Sequence, residues 1–182
     1  KESAPMIRLL PILFFLFPFA LDVNAQEGYP TPPDGQNRLF YIQRTGNTNT
    51  IIYDANVSGN SFEDDKPINI YWIRYADGGG TAGLSYLQRT FAYGVKSEKV
   101  KGTNEYEFHL VCYSKKKLRL AFDAAGKPHV LVEVNGKKMS LQKVFVKIDK
   151  GTTFTLTPKV EYVELYGKDP ATGAALYEKF KP

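Results

Sequence analysis

Glu105-Tyr106-Glu107-Phe108-His109-Leu110-Val111-Cys112-Tyr113 and Lys117-Leu118-Arg119-Leu120-Ala121-Phe122-Asp123, with His129-Val130-Leu131-Val132-Glu133-Val134-Asn135-Gly136 behind them, decide the fold class. Tyr106, Phe108, Leu110 and Cys112 put one apolar face on the first stretch, while Glu105, Glu107 and His109 point the other way. Leu118, Leu120 and Phe122 alternate in the same manner with Lys117, Arg119 and Asp123. A period of two belongs to half-buried strands, because successive side chains leave a strand on opposite faces. Asn135-Gly136 closes the set as a hairpin turn, since both positions need positive φ and Asn-Gly adopts it at little cost.

Working outward, the same strand signals predict β-structure over Arg38 to Gln43, Thr50 to Asn56, Ile68 to Tyr75, Lys138 to Asp149, Thr152 to Thr157 and Val160 to Tyr166. Ile68 to Tyr75 is bulky on both faces and reads as a central strand. Leu84, Leu87, Gln88 and Phe91 have helical spacing and predict one short helix. The expected fold is therefore mainly β, a single antiparallel β-sandwich or barrel-like domain with at most one short helix.

The first residues carry a different pattern. Arg8, the apolar run Leu9 to Leu21 and the small-residue junction Val23-Asn24-Ala25 have the three parts of a secretory signal, with cleavage expected near Ala25. That run is too short to cross a bilayer, which takes roughly 20 residues. Residues 1–25 are read as upstream sequence and signal, 26–36 as a Pro/Gly-rich lead-in, and 37–182 as one β-rich domain. The mature chain is expected to be exported, periplasmic or extracellular, with no transmembrane anchor. The only cysteine, Cys112, cannot form an internal disulfide, so core packing has to stabilise the domain.

The 182 residues carry a formal charge of +5, with an acidic excess up to Val95 and a basic excess from Lys96 onward. Export makes nucleic acid an unfitting partner and leaves an anionic small molecule, a glycan or an envelope protein. His109 and His129 stand without ligand-spaced partners, so neither a metal site nor a cofactor is indicated. No Gly-x-Ser-x-Gly is present, and Asp77-Gly78-Gly79-Gly80 lacks the spacing and the lysine of a phosphate loop. Asp54, Asp77, Glu161 and Glu164 lie among tyrosine-rich strands and keep a carboxylate-based hydrolase open.

Three arginines with neighbouring amides and tyrosines form the most suggestive set. They are Arg44 with Asn47 and Asn49, Arg74 with Tyr75 and Asp77, and Arg89 near Tyr93. Strand parity puts Arg74 on the face of Ile68, Ile70 and Trp72, where a guanidinium needs either the strand end or a buried partner. The planar five-donor group grips carboxylate, phosphate or sulfate at two points. The expectation is a binding site for an anionic ligand, with no catalytic residue assigned. The carboxylate hydrolase and a subunit of an envelope assembly stand as alternatives.

Leu39-Phe40-Tyr41-Ile42-Gln43-Arg44-Thr45 with Asn47 and Asn49, Tyr71-Trp72-Ile73-Arg74-Tyr75 and Phe91-Ala92-Tyr93-Gly94-Val95 carry a family resemblance. The C-terminal Glu161-Tyr162-Val163-Glu164-Leu165-Tyr166-Gly167 with Asp169, Thr172-Gly173 and Phe180-Lys181-Pro182 completes it. Together they resemble the exported bacterial family catalogued as domain of unknown function 4833, over about Gln36 to Pro182. The resemblance implies export and a single domain, and it brings no catalytic residues with it.

Overall fold

A computed structural model describes residues 28–152 and 158–182. The expected signal segment, and nearly all of the strand expected over Thr152 to Thr157, lie outside the described residues. The described chain is mainly β. Its strands are β1 (Arg38–Arg44), β2 (Thr50–Ala55), β3 (Val57–Ser58), β4 (Ser61–Phe62), β5 (Ile68–Ile73), β6 (Thr81–Gly83), β7 (Val95–Lys99), β8 (Tyr106–Leu110), β9 (Tyr113–Phe122), β10 (Pro128–Val134), β11 (Lys137–Ile148), β12 (Val160–Lys168) and β13 (Ala175–Phe180). One short helix, α1 (Tyr86–Gln88), opens with a Ser85/Gln88 capping box and runs on into a wider turn over Arg89–Tyr93.

Eleven strands form a single sheet that curls into a half-barrel, and β3 and β4 make a separate two-stranded ribbon. The sheet branches at β11. One edge of β11 pairs with β10 through Lys137 to Ser140 and then with β1 through Lys143 to Val146, while β12 runs along the other edge with β13 outside it. One wing then continues β1-β2-β5-β6 and the other β10-β9-β8-β7.

The β1/β11 pair is parallel, which corrects the expected all-antiparallel sheet. The reason is topological: antiparallel neighbours such as β9 and β10 close through a short turn, whereas β1 and β11 meet across most of the chain. The expected strand over Glu105 to Tyr113 is also two strands. β8 ends at Leu110 and β9 starts at Tyr113, so Cys112 lies exposed in the connecting turn and not on an apolar strand face.

Inside the curl, Phe40 and Tyr53 stack at 4.3 Å with an 11° interplanar angle. Ile42, Ile51, Leu120, Val130, Val144 and Leu165 fill the same core. Phe62 of the ribbon stacks on Phe122 at 4.2 Å and meets Tyr106 edge-on, which sutures the ribbon to the second wing. Asp64 adds to this by accepting hydrogen bonds from Tyr106 Oη and Lys99 Nζ, both at 2.6 Å.

Tyr53 is fully buried and its hydroxyl donates to the Tyr93 carbonyl at 2.7 Å, tying β2 to the end of the helical turn. Tyr53→Phe leaves that carbonyl without its donor. We expect a loss of about 1–2 kcal/mol in denaturant unfolding; a loss under about 0.3 kcal/mol would mean that the carbonyl finds another donor at no cost.

Candidate functional site

Pairing across the sheet fixes which side chains share a face. The row Tyr41, Lys143, Tyr166 and Tyr177 crosses β1, β11, β12 and β13, and the next row is Gln43, Phe145, Glu164 and Lys179. Directly paired residues point the same way, so both rows lie on one face, opposite the Ile42, Val144 and Leu165 row that enters the main core. The lead-in crosses this outer face. Tyr29 packs edge-on against Phe145 at 5.3 Å, Gln43 Nε2 donates to the Pro30 carbonyl at 2.7 Å, and Arg38 Nη1 donates to the Pro33 carbonyl at 3.2 Å.

Under this strap the outer face is buried and polar. Lys143 is 1% exposed, Gln43 1% and Glu164 7%. Glu164 is well supplied with donors: Tyr166 Oη at 3.0 Å, Tyr177 Oη at 2.9 Å, and Lys179 Nζ at 3.4 Å. The Lys143 ammonium lies 5.4 Å from the Tyr166 ring centre and 6.0 Å from that of Phe145, within cation-π range of both. Burial brings its pKa down to about 8, although the Glu164 carboxylate pulls the other way. The two phenols respond in the opposite sense. Burial and the Glu164 carboxylate push Tyr177 up to about 12 and Tyr166 higher still.

A crevice lies where β11 exchanges β10 for β1. The register with β12 shifts at the same point, between Leu141 and Lys143. The resulting cleft has a volume of about 670 Å³ and includes Tyr41, Ser140, Gln142 and Lys143 in its walls. Lys127, His129 and Lys168 line it too, as do Asp34 and Asp123, and the strap residues Thr31 and Pro32 form a rim. Arg38 is held by Asp54, and Asp123 Oδ1 accepts from the backbone amides of Ala125 and Lys127. Burial lowers the His129 pKa, so this imidazole favours its neutral form.

The arginine trio has a different fate. β5 ends at Ile73, so Arg74 is exposed at the start of a 3-10 turn (Tyr75–Asp77) and does not share the buried face of Trp72. The break follows from Gly78 and Gly79, whose positive φ values of 89° and 81° let Asp77 N and Gly79 N return to the Arg74 carbonyl. Asp77 accepts from Asn49 Nδ2 at 2.9 Å, and Asn49 Oδ1 accepts from Ala76 N. Asn47 Oδ1 in turn accepts from Asn49 N, so both amides serve loop closure. Tyr75 feels Arg38 as its nearby cation, while burial raises its pKa.

Arg89 is exposed on the helical turn. Arg44 and Tyr93 are brought together: burial pushes the phenol's pKa up and the Arg44 guanidinium opposes that push. Arg44 Nε is buried and lacks a hydrogen-bond partner among the described residues. Of the predicted site, then, Arg44 meets Tyr93 and Asn49 meets Asp77, while Arg74 meets Asp77 through its backbone carbonyl and Arg89 stands exposed on the helical turn.

The carboxylates are dispersed. Asp54 accepts from Arg38 and Tyr71, Asp77 from Asn49, and Glu164 from two tyrosines, so each serves its own donor set. Among the described residues no group of three or more His, Cys, Asp or Glu is placed to hold a metal ion, and no helix is long and apolar enough to cross a membrane.

Sequence reasoning missed Lys143. Sequence parity groups Lys143 with Leu141 and Phe145, but the register shift between Leu141 and Lys143 sends Leu141 into the core and leaves Lys143 on the outer face with Phe145. Val144 and Val146 make the opposite face equally apolar, which hid the anomaly.

The family model described as Domain of unknown function (DUF4833) matches residues 40–179, most of the chain. No curated protein and no solved structure matches.

Proposed function

We propose, for a chain that belongs to the DUF4833 family and takes no activity from that description, a non-catalytic module that binds an anionic ligand in the cleft at the fork of β11. The observation that carries this reading is a cleft of about 670 Å³ whose walls include Lys127, Lys143 and Lys168, with Lys143 buried to 1% exposure. Burying a charge is unfavourable unless something compensates it, and the Glu164 carboxylate is one group that does so for Lys143. Lys127 and Lys168 on the same cleft extend the attraction to incoming anions. Concave sites with a few convergent polar groups at a point where strand partners change are where ligands bind in many folds.

Export through a signal ending near Ala25 and a place of action in the bacterial envelope belong to the same proposal. Their support is the Arg8, Leu9 to Leu21 and Val23-Asn24-Ala25 pattern.

The test is thermal stability and calorimetry against carboxylates, phosphates and uronates. The binding-competent form is the ammonium, whose pKa is about 8, so affinity is expected to be full below that pH and to fall about tenfold per unit above it. Affinity that ignores pH between 7 and 10 and survives Lys143→Met would overturn the assignment of the site.

A further inference from the structure

We propose that the ligand is an acidic oligosaccharide, held with its carboxylate in the lysine-lined cleft and a neighbouring neutral sugar in a second cleft beside it. The inference rests on the anion-binding reading and extends it to the class of ligand. The second cleft has a volume of about 620 Å³ and includes Gln36, Asn37, Asn60 and Phe122 in its walls. It adjoins the first, because Lys127 and Pro128 line both. The chain entering β1 is shared in the same way: Gly35 and Arg38 line the first cleft, and Gln36 and Asn37 between them line the second.

The two clefts differ in chemistry. In the first, Arg38 is held by Asp54 and Asp123 by backbone amides, and the exposed Lys127 and Lys168 are the cations that meet a carboxylate. Lys143 keeps its own partners. In the second, Lys127 is the only charged side chain among the described residues, and amides take the place of charge.

An amide both donates and accepts, as a sugar hydroxyl does. The side-chain amides of Gln36, Asn37 and Asn60 make no hydrogen bond among the described residues, while the backbone that carries two of them is tied down. The Asn37 carbonyl accepts from Ala55 N at 2.8 Å, and the Asn60 carbonyl from Asn104 Nδ2 at 2.7 Å. Phe122, stacked on Phe62 at 4.2 Å, adds a fixed apolar ring against which the C–H surface of a pyranose packs. Because Phe62 covers one face of Phe122, a nucleobase cannot be sandwiched on it. A small apolar surface with a few polar groups around it is the usual make-up of a small-molecule site.

The experiment is titration calorimetry on the chain at pH 7 with sialyllactose, a carboxylate sugar joined to a neutral disaccharide, and with its parts, N-acetylneuraminate and lactose. The joined sugar is expected to bind about tenfold or more tighter than either part, because the second contact is made within one complex. Asn60→Ala changes an exposed side chain at the tip of the β3–β4 ribbon. It should weaken sialyllactose about three- to tenfold and leave N-acetylneuraminate unchanged, whereas Lys168→Ala should weaken both.

Equal affinity for sialyllactose and N-acetylneuraminate, unmoved by Asn60→Ala, would overturn the second cleft and leave anion binding standing. Binding of phosphate or citrate but of none of the sugars would overturn the saccharide class and likewise leave anion binding standing. If neither the sugars nor the simple anions bind, both readings fall.

Discussion

Lys143→Met raises the unfolding free energy at pH 7 by at most about 3 kcal/mol, an upper bound set by the drop in the lysine pKa from 10.5 to about 8. Water reaching the amine through the cleft reduces the gain. The folded state holds this proton less tightly than the unfolded state. The stability defect is therefore complete below pH 8 and is relieved as pH rises from about 8 toward 10.5. Methionine has a similar volume and no charge to desolvate, and Glu164 keeps two tyrosine donors and Lys179 when Lys143 is gone.

Two signatures follow in thermal or urea unfolding. The unaltered chain should gain stability between pH 8 and 10, and Lys143→Met should not. Above pH 10 both should lose it, because Tyr53, Tyr166 and Tyr177 ionise less readily folded than unfolded, with Tyr177 at about 12. A Lys143→Met protein that is destabilised by more than about 1 kcal/mol at pH 7 would mean that the partners of the ammonium outweigh its desolvation. The gain would come with loss of anion binding, the usual exchange at a site that holds a group in an unfavourable setting.

The second large effect is expected at Gly167→Ala. A Cβ at this position would stand 2.2 Å from the Ser140 carbonyl oxygen, 2.6 Å from Met139 Cγ and 2.9 Å from its Sδ. Met139 is fully buried and Ser140 belongs to the β11 ladder, so neither neighbour yields without opening the β11/β12 register. Overfilling a packed core commonly costs about 1–3 kcal/mol, and a clash with backbone on a central strand belongs at or above the top of that range. Urea unfolding should show a loss of about 3 kcal/mol or more, with the hydrogen-exchange protection of β12 reduced. A loss under about 1 kcal/mol would mean that the approach of β12 to β11 is looser than described.

The fold class was legible wherever one strand face is polar. Tyr106, Phe108, Leu118 and Leu120 are buried as their alternation requires, and Asn135 and Gly136 take φ of 50° and 74°. Local chemistry determines such positions, because alternation and turn geometry act within a few residues. β6, β7 and β13 escaped notice: β6 has three residues, β7 reads Val95-Lys96-Ser97-Glu98-Lys99 with one apolar member, and β13 is mostly exposed. Their partners make them strands.

The candidate site was the least legible part, for the same physical reason. Arg74 was placed by parity in a strand that stops one residue earlier, where two glycines turn the chain. Lys143 gains its character from Tyr41, Tyr166 and a strap that lies more than a hundred residues away in sequence, none of which a local window can report.

The most direct measurement is the side-chain nitrogen titration of Lys143 by NMR, with and without a saturating anion such as pyruvate or phosphate. A midpoint of about 8 in the free protein, moving upward when the anion binds and absent in Lys143→Met, is the predicted result. A midpoint near 10.5 that no anion moves would contradict both the buried amine and the binding site built around it.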